Sequence, residues 1–391
     1  MNIENNQKLY FNIFFFIPYL LWSILILIYV FNSDLIKAGE INGLIKLGND
    51  SSRYIFEAEK LANFNFTNLY ISKLSYIILL AIAFKLNLDL TTIIIFQFLT
   101  TIISSLCLYL IAQKLFSKWV GLLSILIFLT YLPIQLRNFY LLTEILFINF
   151  SIILTYIFFF KRHLKITILL IGLFILFLRP QGILILLSIS FTTIMFLKLS
   201  KDYNFIIKLI IIFLCFVLTI FFIDNAIQEY DLISALSKGI IWGYSFETNA
   251  ICYNNCIPDL TNADLYEKNV IGLLQYIKDN FFILLKVSFF KIILFFTGWR
   301  PYYSYIHNFF LICFHLPIYI MFCIYFFKSK KIISFEIFTL FYIFLSVVFV
   351  SVTFVDWSSR FIMYIFPFMI IFASKSATSL FLSFVDRAKT K

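Results

Sequence analysis

Ten apolar runs recur along this sequence, separated by short basic clusters, and that pattern constrains the fold more than any other feature. A helix needs about 20 mostly apolar residues to cross a bilayer. The runs are Tyr10–Phe31, Thr91–Ala112, Trp119–Leu132, Phe139–Phe160, Ile166–Leu178, Gly182–Leu197, Phe205–Ile223, Phe309–Phe327, Phe335–Val355 and Phe361–Leu382. With 62% hydrophobic residues, 13% charged residues and a mean hydropathy of +0.97, the chain lacks the polar surface a soluble domain needs. The expectation is an all-α polytopic membrane protein with about ten transmembrane helices, forming one membrane domain over 1–391.

Charge sets the expected orientation. Basic clusters at Lys114/Lys118, Lys161/Arg162/Lys165, Lys198/Lys201, Lys328/Lys330/Lys331 and Arg387/Lys389/Lys391 share the cytoplasmic side only if Leu74–Leu86 and Phe281–Phe296 do not cross. The first then reads as a short juxtamembrane helix. The second reads as an interfacial helix whose lysines snorkel to water. Both termini fall inside, and 32–90 and 224–308 become two long external loops. A twelve-span arrangement would put three basic clusters on the wrong side. The net charge of +11 follows from this distribution and forms no groove-sized patch, so nucleic acid is not an expected partner; the bilayer is. The first run is too long for a cleavable signal and lacks a small-x-small site behind it. Cys107, Cys215, Cys313 and Cys323 lie in apolar runs and are expected in the core. Cys252 and Cys256 share a polar loop, where a disulfide is open.

The first polar segment after the first span holds the chemistry of most interest, Gly48-Asn49-Asp50-Ser51-Ser52-Arg53-Tyr54. Asp50 or Ser51 would cap a helix with Tyr54, Ala58 and Leu61 on one face and Arg53, Glu57 and Lys60 on another. The segment reads either as a capped amphipathic surface helix or as the carrier of a catalytic carboxylate, Asp50. Three external loops each carry one arginine: Arg137, Arg179 and Arg360. A planar guanidinium matches phosphate oxygens, so the three are candidates for holding a lipid phosphate. Each also has a plainer role: Arg360 pairing with Asp356, Arg137 meeting lipid phosphates, Arg179 satisfying backbone opened by Pro180. Glu144, the acid inside a predicted span, could pair with Arg137 or Arg179, either as a packing ion pair or as part of a site. Tyr54, Arg300 and His307 are further candidates for substrate contact. No phosphate-binding loop, dinucleotide fingerprint or His-Glu-x-x-His occurs. The cofactor stays open: a divalent metal has no clear ligand set here.

Gly48–Tyr54 with Ala58, Lys114-Leu115-Phe116, Leu142-Thr143-Glu144-Ile145-Leu146-Phe147, Leu178-Arg179-Pro180-Gln181-Gly182 and Ser359-Arg360-Phe361 before Pro367 together resemble the integral-membrane glycosyltransferases of the GT-C fold. The resemblance is to the members related to protein O-mannosyltransferases and the lipid A aminoarabinose transferase. It implies a polyprenyl-phosphate sugar donor and a lipid, glycan or protein acceptor. It also implies the external face of a bacterial cytoplasmic membrane, and Asp50 at the catalytic position. Asn49 departs from the Asp-Glu pair of some members. Direct displacement at the sugar carbon would invert it, with Asp50 as general base. The alternative is a transporter or lipid flippase, for which the sequence shows no internal repeat.

Overall fold

A computed structural model describes residues 2–32, 45–48, 50–67, 70–197, 224, 227–228, 232–237, 263–300, 303–329, 332–353 and 360–389. Their regular structure is all helical, with no strand among the described residues and one isolated parallel bridge, Lys46 to Tyr140. The helices are α1 (Asn2–Asn32), α2 (Ser51–Ala62), α3 (Leu74–Lys85), α4 (Thr91–Leu115), α5 (Lys118–Thr130), α6 (Leu132–Gln135), α7 (Glu144–Phe160) and α8 (Lys165–Leu178). They continue with α9 (Gly182–Leu197), α10 (Leu232–Ser237), α11 (Val270–Asp279), α12 (Phe281–Thr297), α13 (Tyr305–Lys328), α14 (Ser334–Val352) and α15 (Arg360–Lys389).

Five of these are long and apolar enough to cross a membrane: α1, α4, α13, α14 and α15. Two bent pairs raise the number to seven if each is one span: α5 with Leu132–Phe139, bent by 62°, and α11 with α12, bent by 99°. Three shorter apolar helices, α7, α8 and α9, account for others of the ten expected runs, and Phe205–Ile223 lies outside the described residues. At 1.5 Å per residue α4 reaches about 37 Å, whereas α3 reaches about 18 Å and falls well short of a hydrocarbon core. The expected run Phe139–Phe160 becomes helical only from Glu144, because the backbone of Phe139 and Leu141 is engaged by the segment that precedes α2.

Local signals fix several ends. Ser117 caps α5 by accepting from the Val120 N–H, and Asn269 caps α11 by accepting from the Gly272 N–H at 2.8 Å, each satisfying one first-turn donor. At α14 the Glu336 carboxylate, three residues into the helix, accepts from the Ile333 N–H at 2.9 Å. Gly298 ends α12 at φ +66°, a left-handed cap that glycine adopts without a Cβ penalty. Between α11 and α12, the Asn280 side chain donates to the Tyr276 carbonyl.

The described chain forms two compact units. One comprises Met1–Gly182, Met321–Lys328 and Pro367–Lys391; the other comprises Ile183–Ile320 and Ser329–Phe366. In the first, α4 and α7 meet along a polar seam. Asn149 donates to Thr100 at 3.1 Å and Thr101 at 2.9 Å and accepts from Ser104 at 2.8 Å, all buried. Apolar surface supplies little association energy between helices in lipid, so small and hydrogen-bonding residues carry such contacts. In the second unit α12 packs on α14 through Ser288 donating to the Ser351 carbonyl and Lys291 donating to the Thr353 carbonyl. Phe191 of α9 stacks on Phe341 of α14 with ring centroids 4.0 Å apart.

Expectations for one lysine and two cysteines change here. Lys291 does not snorkel: it is fully buried and spends its ammonium on the end of α14, while Lys278 and Lys286 are exposed. Cys107 is buried as expected, but Cys313 and Cys323 are exposed, because the apolar runs that hold them are longer than the faces they bury. Cys215, Cys252 and Cys256 lie outside the described residues.

Candidate functional site

The first polar segment is laid across the start of α7. The Lys46 N–H donates to the Phe139 carbonyl at 2.8 Å, and the Leu141 N–H donates back to the Lys46 carbonyl at 3.2 Å. Two residues on, the chain comes so close to Leu142 that a Cβ at Gly48 would lie 3.0 Å from its side chain, an approach suited to glycine. Ser51 then locks the turn. Its fully buried hydroxyl accepts from the Gly48 N–H at 2.8 Å and donates to the Leu141 carbonyl at 2.9 Å.

These bonds overturn the expected capping. Asp50 occupies the cap position of α2 without any side-chain cap bond, and Ser51 spends its hydroxyl on the bridge. Asp50 therefore stays exposed, flanked by backbone fastened on both sides. The expected division of α2 also shifts. Tyr54 and Ala58 are buried as drawn, but Glu57 is buried with them, its carboxylate 3.4 Å from the Lys60 ammonium. The packing of α2 on α3 covers a wider arc than the apolar stripe alone marks. Tyr54 is a packing residue, edge-to-face on Tyr76 with centroids 5.7 Å apart.

Replacing Ser51 with alanine removes the bridge and leaves the half-buried Gly48 N–H and the buried Leu141 carbonyl without it. The expected cost is about 1–3 kcal/mol, read as faster hydrogen exchange across 45–51 and a lower midpoint of thermal unfolding. Ser51→Thr, which keeps the hydroxyl, should recover most of both.

Beneath the segment lies a buried ion pair. Glu144, the first residue of α7, meets Arg179 at the end of α8 at 2.9 Å, with 1% and 8% of the two side chains exposed. Of the two partners open to Glu144 from sequence, the structure brings in Arg179. The N-terminus of α7 suits the acid, since the helix dipole is positive there. Gln181 accepts from Arg179 Nε at 3.4 Å. Tyr76 of α3 is buried within electrostatic reach: burial first, then the Glu144 carboxylate, holds its phenol well above the ordinary tyrosine range. It remains a neutral donor, and neither its hydroxyl nor Thr143 Oγ1 has a hydrogen-bond partner among the described residues.

The other candidates are dispersed. Arg137 is half-buried, its guanidinium 5.6 Å from the centre of the Tyr140 ring. In the second unit, Arg300 is buried and donates to the carbonyls of Leu294 and Trp299, with Asn308 accepting from its backbone N–H, so its fork holds the chain turn after α12. His307 is exposed and stacks on Tyr303 at 4.1 Å. Arg360 opens α15 half-buried, and its suggested partner Asp356 lies outside the described residues. The structure thus gathers Asp50, Tyr54, Arg137, Glu144 and Arg179 in the first unit and places Arg300, His307 and Arg360 in the second. Sequence reasoning passes over Lys46 and Tyr76 and places Arg53 only on the polar face of α2, where its exposed guanidinium lies 3.5 Å from the centre of the Tyr70 ring. A cation beside aromatics in each polar segment is the available signal. Among the described residues no three His, Cys, Asp or Glu side chains come together to hold a metal ion.

No family model matches this chain, and no curated protein or solved structure matches it.

Proposed function

We propose that this protein is a membrane-embedded, inverting glycosyltransferase of the GT-C kind. It moves a sugar from a polyprenyl-phosphate donor to a lipid, glycan or protein acceptor at the external face of a bacterial cytoplasmic membrane. The observation that carries the reading is the state of Asp50. Its carboxylate is exposed and makes no side-chain cap bond to α2, while the backbone and Ser51 beside it are bonded to Phe139 and Leu141 and pass close to Leu142. A general base has to be accessible and held still, since proton transfer depends on geometry first and on pKa second. Asp50 takes the proton of the acceptor hydroxyl as that oxygen attacks the sugar carbon and the lipid phosphate leaves. Glu144 acts behind it, holding Arg179 against the start of α7, next to the stretch 139–141 to which the Asp50 segment is bonded.

The test is transfer by purified protein in vesicles supplied with a radiolabelled polyprenyl-phosphate sugar and an extract of envelope acceptors. Label should leave the donor only when protein and acceptor are both present. Movement of intact donor across the bilayer without sugar transfer would favour a flippase instead.

A further inference from the structure

Four successive backbone carbonyls beside the Asp50 segment are claimed from two opposite sides. Those of Phe139 and Leu141 face the Asp50 segment, accepting from the Lys46 N–H at 2.8 Å and the Ser51 hydroxyl at 2.9 Å. Those of Asn138 and Tyr140 face α4, and both accept from the one amide nitrogen of Gln97, at 2.8 and 3.1 Å. Tyr140 is extended at φ −96°, ψ 137°, so its carbonyl points away from the edge that its two neighbours present.

Gln97 is fully buried in the second turn of α4, a helix long enough to cross a membrane. Both amide hydrogens are spent on these two carbonyls, and the amide oxygen has no hydrogen-bond partner among the described residues. The amide cannot turn over, because its oxygen would then face two carbonyl oxygens. One turn on, Thr101 Oγ1 donates to Asn138 Oδ1 at 2.9 Å, and Asn138 Nδ2 donates to the Gln135 carbonyl at 3.0 Å. The start of the stretch is thus fastened as well. Non-helical backbone beside apolar helices has to find its partners inside the protein, and here one glutamine supplies two of them.

We infer that Gln97 is a positioning residue for Asp50: it fixes the stretch 138–141 to α4, and that stretch carries the Asp50 segment on its other edge. The inference rests on the transferase reading, in which Asp50 is the base. Gln97 acts only through the backbone between them, so it sets where the carboxylate stands and touches neither donor nor acceptor. Misplacing a reacting group by about 1 Å costs up to about a hundredfold in rate. The loss therefore falls on kcat, and the KM for the donor stays at its wild-type value.

The experiment compares Gln97→Met with Ser104→Ala in purified full-length protein. Ser104 lies two turns further along α4, buried in the same seam and bonded to Asn149, so its variant reports what a structural change alone does. Hydrogen exchange is read across 45–51, and initial rates of transfer from a labelled polyprenyl-phosphate sugar are read in vesicles, per folded molecule. Gln97→Met should speed exchange across 45–51 about tenfold, the effect of a lost hydrogen bond. It should lower kcat about tenfold to a hundredfold with KM unchanged. Ser104→Ala should leave exchange across 45–51 and kcat at the wild-type values, whatever it costs in unfolding midpoint. Should the methionine variant fail to fold, Gln97→Glu keeps the shape and, neutralised by burial, keeps one donor; it should show both effects to a smaller degree. Wild-type exchange across 45–51 in the Gln97 variants overturns the inference, and so does a kcat no lower than that of Ser104→Ala. A wild-type protein that transfers no sugar, yet whose exchange responds as expected, sinks the transferase reading and leaves the hold of Gln97 on the Asp50 segment in place.

Discussion

Removing the Glu144 carboxylate should be among the most destabilising single changes in the first unit. In Glu144→Gln the Arg179 guanidinium is left buried without its counter-charge, and breaking a buried pair from one side costs about 3–5 kcal/mol. Arg179→Met leaves the acid stranded instead and should cost a similar amount. The double variant Glu144→Gln/Arg179→Met removes both charges at once and should regain most of the stability, since a well-packed apolar replacement for a buried pair is often neutral. Detergent-solubilised protein titrated with SDS provides the measurement, with the unfolding midpoint as readout for the two single variants and the double. Additive losses would mean that the 2.9 Å contact is not the source of the cost. This outcome also bears on the proposed chemistry. If Arg179 served mainly as a ligand for phosphate, its replacement would lower activity while leaving the amount of folded protein unchanged.

The helices were legible because apolar runs of membrane length leave a chain little choice: backbone polar groups in hydrocarbon must be satisfied internally. Short elements were legible from length alone, and Leu74–Leu86 yields a 12-residue helix. The start of α7 was not. Phe139–Leu142 is as apolar as the body of α7, and only the backbone at Lys46, some ninety residues earlier in the chain, diverts it. The same long-range contact explains why Ser51 caps nothing. A serine before a helix is a good cap by every local rule, yet the Gly48 N–H and Leu141 carbonyl claim its hydroxyl. Glu57 and Lys291 were expected at water because charge marks the outer face of an isolated helix. Both are buried where a second helix packs more widely than the apolar stripe. Glu144 with Arg179 was legible as one of two pairings, since an acid inside a span needs a partner. Arg137 and Arg360 carried the same residue type with no spacing to say what they faced.

Asp50→Asn should leave the protein folded and abolish sugar transfer. The amide keeps the size of the side chain and loses its basicity, and Asp50 is exposed with no cap bond to lose. Thermal unfolding should therefore match the wild type within a few tenths of a kcal/mol, as for surface changes generally. General-base catalysis is worth about a hundredfold to ten-thousandfold, so the expected loss in transfer is of that order. Asp50→Glu retains a base displaced by one methylene and should fall between the two. The decisive measurement is the initial rate of sugar transfer from labelled polyprenyl-phosphate donor, normalised to monodisperse protein, for wild type and Asp50→Asn in the same vesicles. A wild-type rate that falls at least a hundredfold in the asparagine variant, with the unfolding midpoint unchanged, is the predicted result. Near-normal transfer by Asp50→Asn would contradict the assignment of Asp50 as the base.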